Sequence, residues 1–374
     1  MDVSMLGLIF TGDSDPQLRE LTMVRPAAAL PVAGRYRIID FPLSSMVSSG
    51  IRNIGVIMQR NYQSLMDHLG SGREWDLHGK RSGLVLLPPF LTGDSTGVYT
   101  GYLDALRSNL HFLRRSKERY AVVTDARMLY TANYDEMVHA HIDSGADITL
   151  LYTKDPAARR NGSGRYLDIT DSGRVKGLED SPTIPHYANT YMEAFVVRRE
   201  LLIDLVDRSV ALGQRHFVRD LLMDALKDGS LKLGSYECPG QVWNIDSVVS
   251  YFNCSMDLLN PETRRKLFYG DTAVLTKLRD EMPTRYLNGG KAVNSLIADG
   301  CVIEGTVENS ILFRGVCVEK GAVVKNSIIM QDGIIMKKAD LCWCIADKQV
   351  TVLENTRLCG SRNQPFVAIK DSTI

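Results

Sequence analysis

Between Leu312 and Cys342 the chain keeps a period of six. Small residues recur at Gly315, Gly321, Ser327, Gly333 and Ala339. Apolar residues keep step at Val316, Ala322, Ile328 and Ile334, and a second apolar row runs through Leu312, Val318, Val324, Met330, Met336 and Cys342. A helix repeats every 3.6 residues and a strand every two, so neither produces this pattern. A six-residue repeat builds one face of a triangular coil, and stacked coils form a parallel β-helix. A β-sandwich would not hold the phase. Residues 289–374 are therefore expected to form such a coil. Its open strand edges are of the kind that proteins cover, which points to an oligomer interface.

The rest of the chain limits what it can do. Lys plus Arg total 44 and Asp plus Glu total 44, a formal charge of zero. That excludes sequence-blind nucleic-acid binding, which needs a basic surplus. Apolar residues at 44% and charged residues at 24% indicate a globular protein. No apolar run approaches the ~20 residues of a membrane helix. The start of the sequence lacks the basic segment and cleavage site of an export signal. A cytoplasmic protein with seven reduced cysteines is the expectation. The histidines do not sit near cysteines at ligand spacing, so no zinc site is expected. His139 and His141, two apart on a predicted helix, face different sides.

Short apolar runs at Met5–Phe10, Arg52–Met58, Tyr120–Thr124 and Asp147–Tyr152 read as buried strands. Helical patterns lie between them, as at Leu103–Arg115 and Tyr134–Ser144. This order predicts an α/β, Rossmann-like domain over 1–245 with a doubly wound parallel sheet. Ligands of such sheets bind beyond the carboxyl ends of the strands, which directs attention to the loops after Phe10 and Thr124. Residues 155–195 read as a turn-rich insertion, and 246–288 as a helical connector.

Several motifs go further. Gln17-Leu-Arg-Glu-Leu-Thr22 precedes Arg25, then Gly34-Arg-Tyr-Arg-Ile-Ile-Asp-Phe-Pro-Leu-Ser-Ser45 and Ser49-Gly-Ile51. Gly101-Tyr-Leu-Asp-Ala-Leu106 and Phe217-Val-Arg-Asp-Leu-Leu222 follow. Together they resemble the ADP-glucose pyrophosphorylase (glucose-1-phosphate adenylyltransferase) family. The resemblance implies a sugar-nucleotidyltransferase domain followed by a left-handed parallel β-helix. It implies a reaction in which glucose 1-phosphate attacks the α-phosphate of ATP, giving ADP-glucose and pyrophosphate. Such a displacement needs a backbone cradle, cations for the phosphates and a carboxylate-held magnesium ion.

The chain departs from the family at each of these parts. The family's Gly-rich loop reads Thr11-Gly-Asp-Ser-Asp-Pro-Gln17 here, where Gly12 survives but Asp13 and Asp15 bring acids toward a triphosphate. Two like charges ~4 Å apart cost roughly 4 kcal/mol at an effective dielectric of 20. Pro16 removes a donor, and Gln17 stands where the family has Arg. Ala27 takes a lysine position. Anchoring on Tyr130 and Tyr134 places Arg127 at the first metal Asp. Anchoring on Tyr251 places Asn244 at the second. Asp180 stands at the glucose-1-phosphate lysine. Losing several charge-stabilising groups from a phosphoryl-transfer site costs many orders of magnitude in rate.

The resemblance therefore implies a catalytically degenerate, regulatory-type subunit with no cofactor of its own. It would join a homologous catalytic subunit, which carries the Mg2+, in a heterotetramer; self-association alone is a second expected assembly. Gly12, Arg25, Gly101 and Asp104 would line the vestigial substrate pocket. Arg35, Arg37, Arg52 and Arg314 are candidates for a sugar-phosphate effector, against the plain alternative that arginines near Asp40 pair with it. An active enzyme with a metal site rebuilt from Asp125 and Asp246 is the competing expectation. A hexapeptide-repeat acyltransferase is disfavoured, because such enzymes typically use a histidine base in the coil and the last histidine here is His216.

Overall fold

A computed structural model describes residues 3–12, 16–79, 82–89, 99, 101–159, 162–270 and 272–374. The chain divides into two compact units: residues 1–13, 41–244 and 272–275 form the first, and residues 14–40, 245–271 and 276–374 the second.

The first unit is built on nine strands, counted among the described residues: β1 (Met5–Phe10), β2 (Asn53–Ile57), β3 (Leu84–Leu87), β4 (Tyr120–Asp125), β5 (Ile148–Thr153), β6 (Arg165–Ile169), β7 (Val175–Asp180), β8 (Asn189–Arg198) and β9 (Leu233–Glu237). β1 lies between β2 and β4, and β2 pairs with β3, all parallel. Every residue of β1, β4 and β5 is buried, as their continuous apolar text requires. The predicted all-parallel sheet is corrected at β8, which runs antiparallel to both β4 and β5. The cause lies in residues 155–195. These form strands rather than an irregular insertion, with β6 and β7 an antiparallel hairpin that leads into β8. A hairpin needs no helical crossover, so the strand direction reverses. β8 carries a bulge, with Glu193 in the left-handed region at φ 53°.

The predicted helix over 103–115 is two helices, Tyr102–Ser108 and Leu110–Arg115. They break at Asn109, whose buried Nδ2 donates to the Ala105 carbonyl at 2.8 Å. The helix Tyr134–Ser144 is capped by the Asn133 side chain, which accepts from the Asp135 and Glu136 N–H groups. His141 faces inward beside Thr149 Oγ1 at 2.8 Å, while His139 is exposed.

In the second unit, helix Val248–Asp257 begins with a reciprocal cap between Ser247 and Ser250, and Pro261–Phe268 begins at Asn260. From Arg285 onward the chain winds into the left-handed parallel β-helix, with three sheets of five short strands each. Ile303, Val318, Ile335 and Val352 stack in register on one face. Val307, Val324 and Leu341 stack on the second, and Leu312, Ile329 and Ala346 on the third. Each of these side chains is at most 1% exposed.

Successive coils from Leu312 to Leu358 are thus 17 residues long, one short of three hexads, whereas Ala346 pairs 22 residues on with Ala368. The uniform six-residue phase is corrected accordingly. Met336 and Cys342 were expected inside but are only half-buried, and Ile334 is 39% exposed, because Ile335 and Leu341 take the interior places. The slip occurs at one corner, crossed in five residues from Val324 to Ile329. Asn294, Asn309 and Asn326 turn it with φ near +45°. The serine after each Asn continues the ladder. Ser295, Ser310 and Ser327 Oγ atoms accept from the N–H groups of Ser310, Ser327 and Cys344, each at 3.1 Å. A side-chain oxygen thus replaces the backbone partner that the missing residue would supply.

Ser327→Ala is expected to leave the buried Cys344 N–H without an acceptor and to cost about 1–3 kcal/mol. Urea unfolding of the variant beside the wild type measures it.

Candidate functional site

At the carboxyl end of β4, Asp125 is 3% exposed. A carboxylate taken out of water must be compensated. Arg127, two residues on, donates Nε to Asp125 Oδ2 at 2.9 Å, and the Tyr102 hydroxyl donates to the same oxygen. Burial holds the Tyr102 hydroxyl well above the usual phenol range, so it remains a donor. The Asp125 charge in turn pushes the Arg127 guanidinium up. The Arg127 stem also lies over Gly12: a Cβ on Gly12 would sit 3.5 Å from Arg127 Cδ. The left-handed Gly12, expected at a phosphate cradle, is covered by the arginine expected at a metal-ligand position.

A second arginine repeats the arrangement. Arg165 Nε donates to Asp180 Oδ1 at 3.0 Å, across the β6–β7 hairpin, and its Nη1 donates to Glu193 Oε1 at 2.6 Å. Asp180, expected at a phosphate-binding lysine position, is thus one arm of a salt-bridged triad. Asn244 lies in a two-residue strand paired with Met128–Leu129. Its Nδ2 faces the Ala158 carbonyl at 3.4 Å, and its Oδ1 is buried without a partner among the described residues, as is Asp125 Oδ1.

Asp125, Arg127, Arg165, Tyr191, Glu193 and Asn244 line a cavity of about 80 Å³. Ligand pockets for small molecules run to roughly 300–1,000 Å³. The cavity bounded by the described residues is smaller than that range. Arg165, Tyr191 and Glu193 also line a neighbouring hollow of about 60 Å³ together with Gly101. Gly101 is required by packing, since a Cβ there would lie 2.3 Å from the Arg215 carbonyl. Asp104 follows in the first turn of its helix.

A divalent cation does not fit this donor set. Both carboxylates in the cavity wall, Asp125 and Glu193, are engaged by guanidinium groups. A dication placed about 4 Å from one guanidinium would be opposed by roughly 8 kcal/mol at an effective dielectric of 20. No group of three metal-ligating side chains occurs among the described residues. Asp246 belongs to the second unit, where its N–H donates to Ser250 Oγ just ahead of a helix cap. Asp13 and Asp15 lie outside the described residues.

Residues 6–259 match the nucleotidyl transferase family, and residues 282–364 match the GlmU-like C-terminal hexapeptide family. The glycogen biosynthesis protein GlgD of Bacillus subtilis (strain 168) is 34% identical over 371 residues, covering 98% of this chain and 96% of that protein. The GlgD protein of Geobacillus stearothermophilus is 36% identical over 370 residues, covering 99% and 97%. The glucose-1-phosphate adenylyltransferase of Bacillus anthracis is 28% identical over 366 residues, covering 97% of each. The chain belongs to the ADP-glucose pyrophosphorylase family.

Other family positions fall in the second unit. Ala27 is fully buried in a short turn, Ala27–Ala29. Gln17 accepts the Val248 N–H through its carbonyl. Arg25, expected at the substrate pocket, is instead 2% exposed and donates Nη2 to Asp347 Oδ2 at 2.6 Å. A guanidinium so held is committed to the β-helix. Of the four candidate effector arginines, Arg52 is set apart: it lies in the first unit and donates to the Val47 and Ile51 carbonyls behind helix Asp40–Ser48.

Arg35, Arg37 and Arg314 do share the second unit. Asp40 takes the backbone N–H of Arg37, whereas Arg35 reaches Asp299 at 2.7 Å. Arg314 is 7% exposed, and its Nε and Nη2 have no partner among the described residues. Burial, then Arg35 and Arg279, push its basicity down. Backbone bonds from Asp332 to Arg314 and from Gln349 to Gln331 stack Arg314, Gln331 and Lys348 on successive coils. Lys348 went unnoticed in the sequence because only the 17-residue coil brings it into this column. Burial, followed by Arg37 and Arg25, lowers its ammonium from 10.5 to about 7.

Arg127→Met should strand the buried Asp125 charge and destabilise the first unit by on the order of 3 kcal/mol. Adding Asp125→Asn should recover most of that loss in the double variant. Thermal unfolding of the four proteins in a double-mutant cycle measures the coupling.

Proposed function

We propose that this chain is a cytoplasmic regulatory subunit of glucose-1-phosphate adenylyltransferase, with little or no activity of its own, acting in glycogen biosynthesis beside a homologous catalytic subunit in a heterotetramer. The Asp125–Arg127 pair lying over Gly12 carries the reading. It occupies the carboxylate that would hold magnesium and the backbone that would cradle a triphosphate. The chemistry of the site is then limited to what its own groups do. Arg127 and Tyr102 bond Asp125, and Arg165 bonds Glu193 and Asp180. Each of the three carboxylates is thus held by an arginine. The GlgD names of its relatives support a role in glycogen biosynthesis, and the adenylyltransferase names support the reaction class.

The test is ADP-glucose synthesis by this chain, by a catalytic homologue from the same cell, and by the two together. The expected outcome is no turnover alone and, on mixing, a rate above that of the catalytic homologue. Substantial turnover by this chain alone, lost in Asp125→Asn, would instead establish a rebuilt metal site.

The same reading assigns effector binding to Arg314, Arg35 and Lys348 in the second unit. A buried guanidinium with two unpartnered nitrogens is a ready acceptor of a phosphate group. The pH dependence follows from Lys348. Below pH 7 its ammonium is already charged in the free protein and aids an anion without proton uptake. Above pH 7 binding must also take up a proton, so affinity falls by up to tenfold per pH unit. Sulfate, whose charge is constant over this range, is the suitable probe. Calorimetric titration from pH 6 to pH 9 should show that decline, Lys348→Met should flatten it, and Arg314→Ala should abolish binding at every pH.

A further inference from the structure

The 17-residue coil places two cysteines in register. Strand Asp340–Cys342 pairs in parallel with strand Arg357–Cys359, and Cys342 stands directly beside Cys359. In-register neighbours on adjacent strands project to the same face, with Cα atoms about 4.8 Å apart. Disulfides form at Cα separations of about 4.4–6.8 Å. The preceding pair, Leu341 and Leu358, points into the coil, so both thiols point outward. Cys359 is exposed and Cys342 half-buried. The two thiols are close enough to hydrogen-bond, and the Cys342 thiol is pushed up by burial and then by Cys359. Cys344, next along the chain, is no competitor. It is 1% exposed, and its Sγ donates inward to the Cys342 and Leu358 carbonyls at 3.3 and 3.4 Å.

We propose that Cys342 and Cys359 form a reversible intrachain disulfide that ties the last full coil of the β-helix to the one before it. The oxidant is a low-molecular-weight disulfide such as oxidised glutathione. The exposed Cys359 thiolate attacks one sulfur of that disulfide, its S–S bond breaks, and one small thiolate leaves with the electron pair. The Cys342 thiolate then attacks Cys359 sulfur and expels the second small thiolate. The two protein thiols lose two electrons, the small disulfide gains them, and the two thiol protons pass to the departing thiolates. The bond bears on more than the coil. Cys359 opens the loop through Ser361–Gln364, and Asn363, Gln364 and Pro365 line a hollow of about 420 Å³ with Gln17 and Ser247 in the same unit. Tying Cys359 to Cys342 anchors the root of that loop. This inference does not depend on the regulatory reading.

The test uses the full chain equilibrated with oxidised glutathione, quenched by alkylation and mapped by peptide mass spectrometry. The expected result is two fewer alkylated thiols than in the reduced protein, a cross-linked pair of peptides carrying Cys342 and Cys359, and full return of both thiols with dithiothreitol. Cys342→Ser should stop at a glutathione adduct on Cys359, and Cys359→Ser should leave Cys342 unmodified. A glutathione adduct persisting on Cys359 in the wild type, a disulfide between two chains, or both cysteines separately alkylated would each overturn the proposal.

Discussion

A carboxylate at the end of a buried strand needs a positive partner, and the kind of partner decides what the carboxylate can do. A bound dication leaves coordination positions open to a phosphate oxygen. A guanidinium offers none, because it carries only N–H donors and has no coordination position to share. In this chain Arg127 arrives two residues after Asp125, bonds it through Nε and lays its stem over Gly12. One side chain therefore decides both the charge of the site and its room. Arg165 does the same for Asp180 and Glu193 at the adjoining wall. The result is a cavity of about 80 Å³ whose acids are all accounted for.

The second unit has the opposite imbalance. Arg25 is satisfied by Asp347 and Arg35 by Asp299, but Arg314 is buried with two idle nitrogens beside other cations. Lys348, two coils along, is lowered to about 7 by burial first and then by Arg37 and Arg25. A cluster of this kind is unfavourable until an anion enters, and part of the binding energy is then the relief of that repulsion. The reading of a subunit that has lost catalysis and keeps regulation rests on this contrast between acids over-compensated in one unit and bases under-compensated in the other.

What the sequence revealed depended on how far apart the interacting residues lie. The strands at Met5–Phe10 and Tyr120–Asp125 and the helix Tyr134–Ser144 are legible from local patterning. Arg127 and Asn244 stood out because Tyr130, Tyr134 and Tyr251 anchor the comparison with the family's motifs. The partners were not legible. Tyr102 meets Asp125 through a helix that reads as ordinary amphipathic text, and Arg165 meets Glu193 only through the register of a hairpin. The partner of Arg25 was not legible either, because Asp347 lies 322 residues away. Arg52 was grouped with Arg35 and Arg37 by closeness in sequence, yet it serves a helix end in the other unit.

The β-helix shows how much one residue per coil can settle. A strict six-residue phase would make every coil 18 residues, stacking Arg314 on Asp332 and Cys342 on Gly360. The first pairing would neutralise the guanidinium, and the second would separate the thiols. The corner at Asn326 and Ser327 crosses in five residues and shifts the Arg314 column by one, and the next corner, from Leu341 to Ala346, does the same for Cys342. Arg314 then stacks on Gln331 and Lys348, and Cys342 on Cys359. The serine oxygen that accepts the Cys344 N–H makes the shorter corner tolerable, since the shifted backbone would otherwise hold a buried donor without a partner. The unsatisfied cation and the paired thiols thus have the same kind of origin, a corner one residue short of a hexad, repeated on two successive coils.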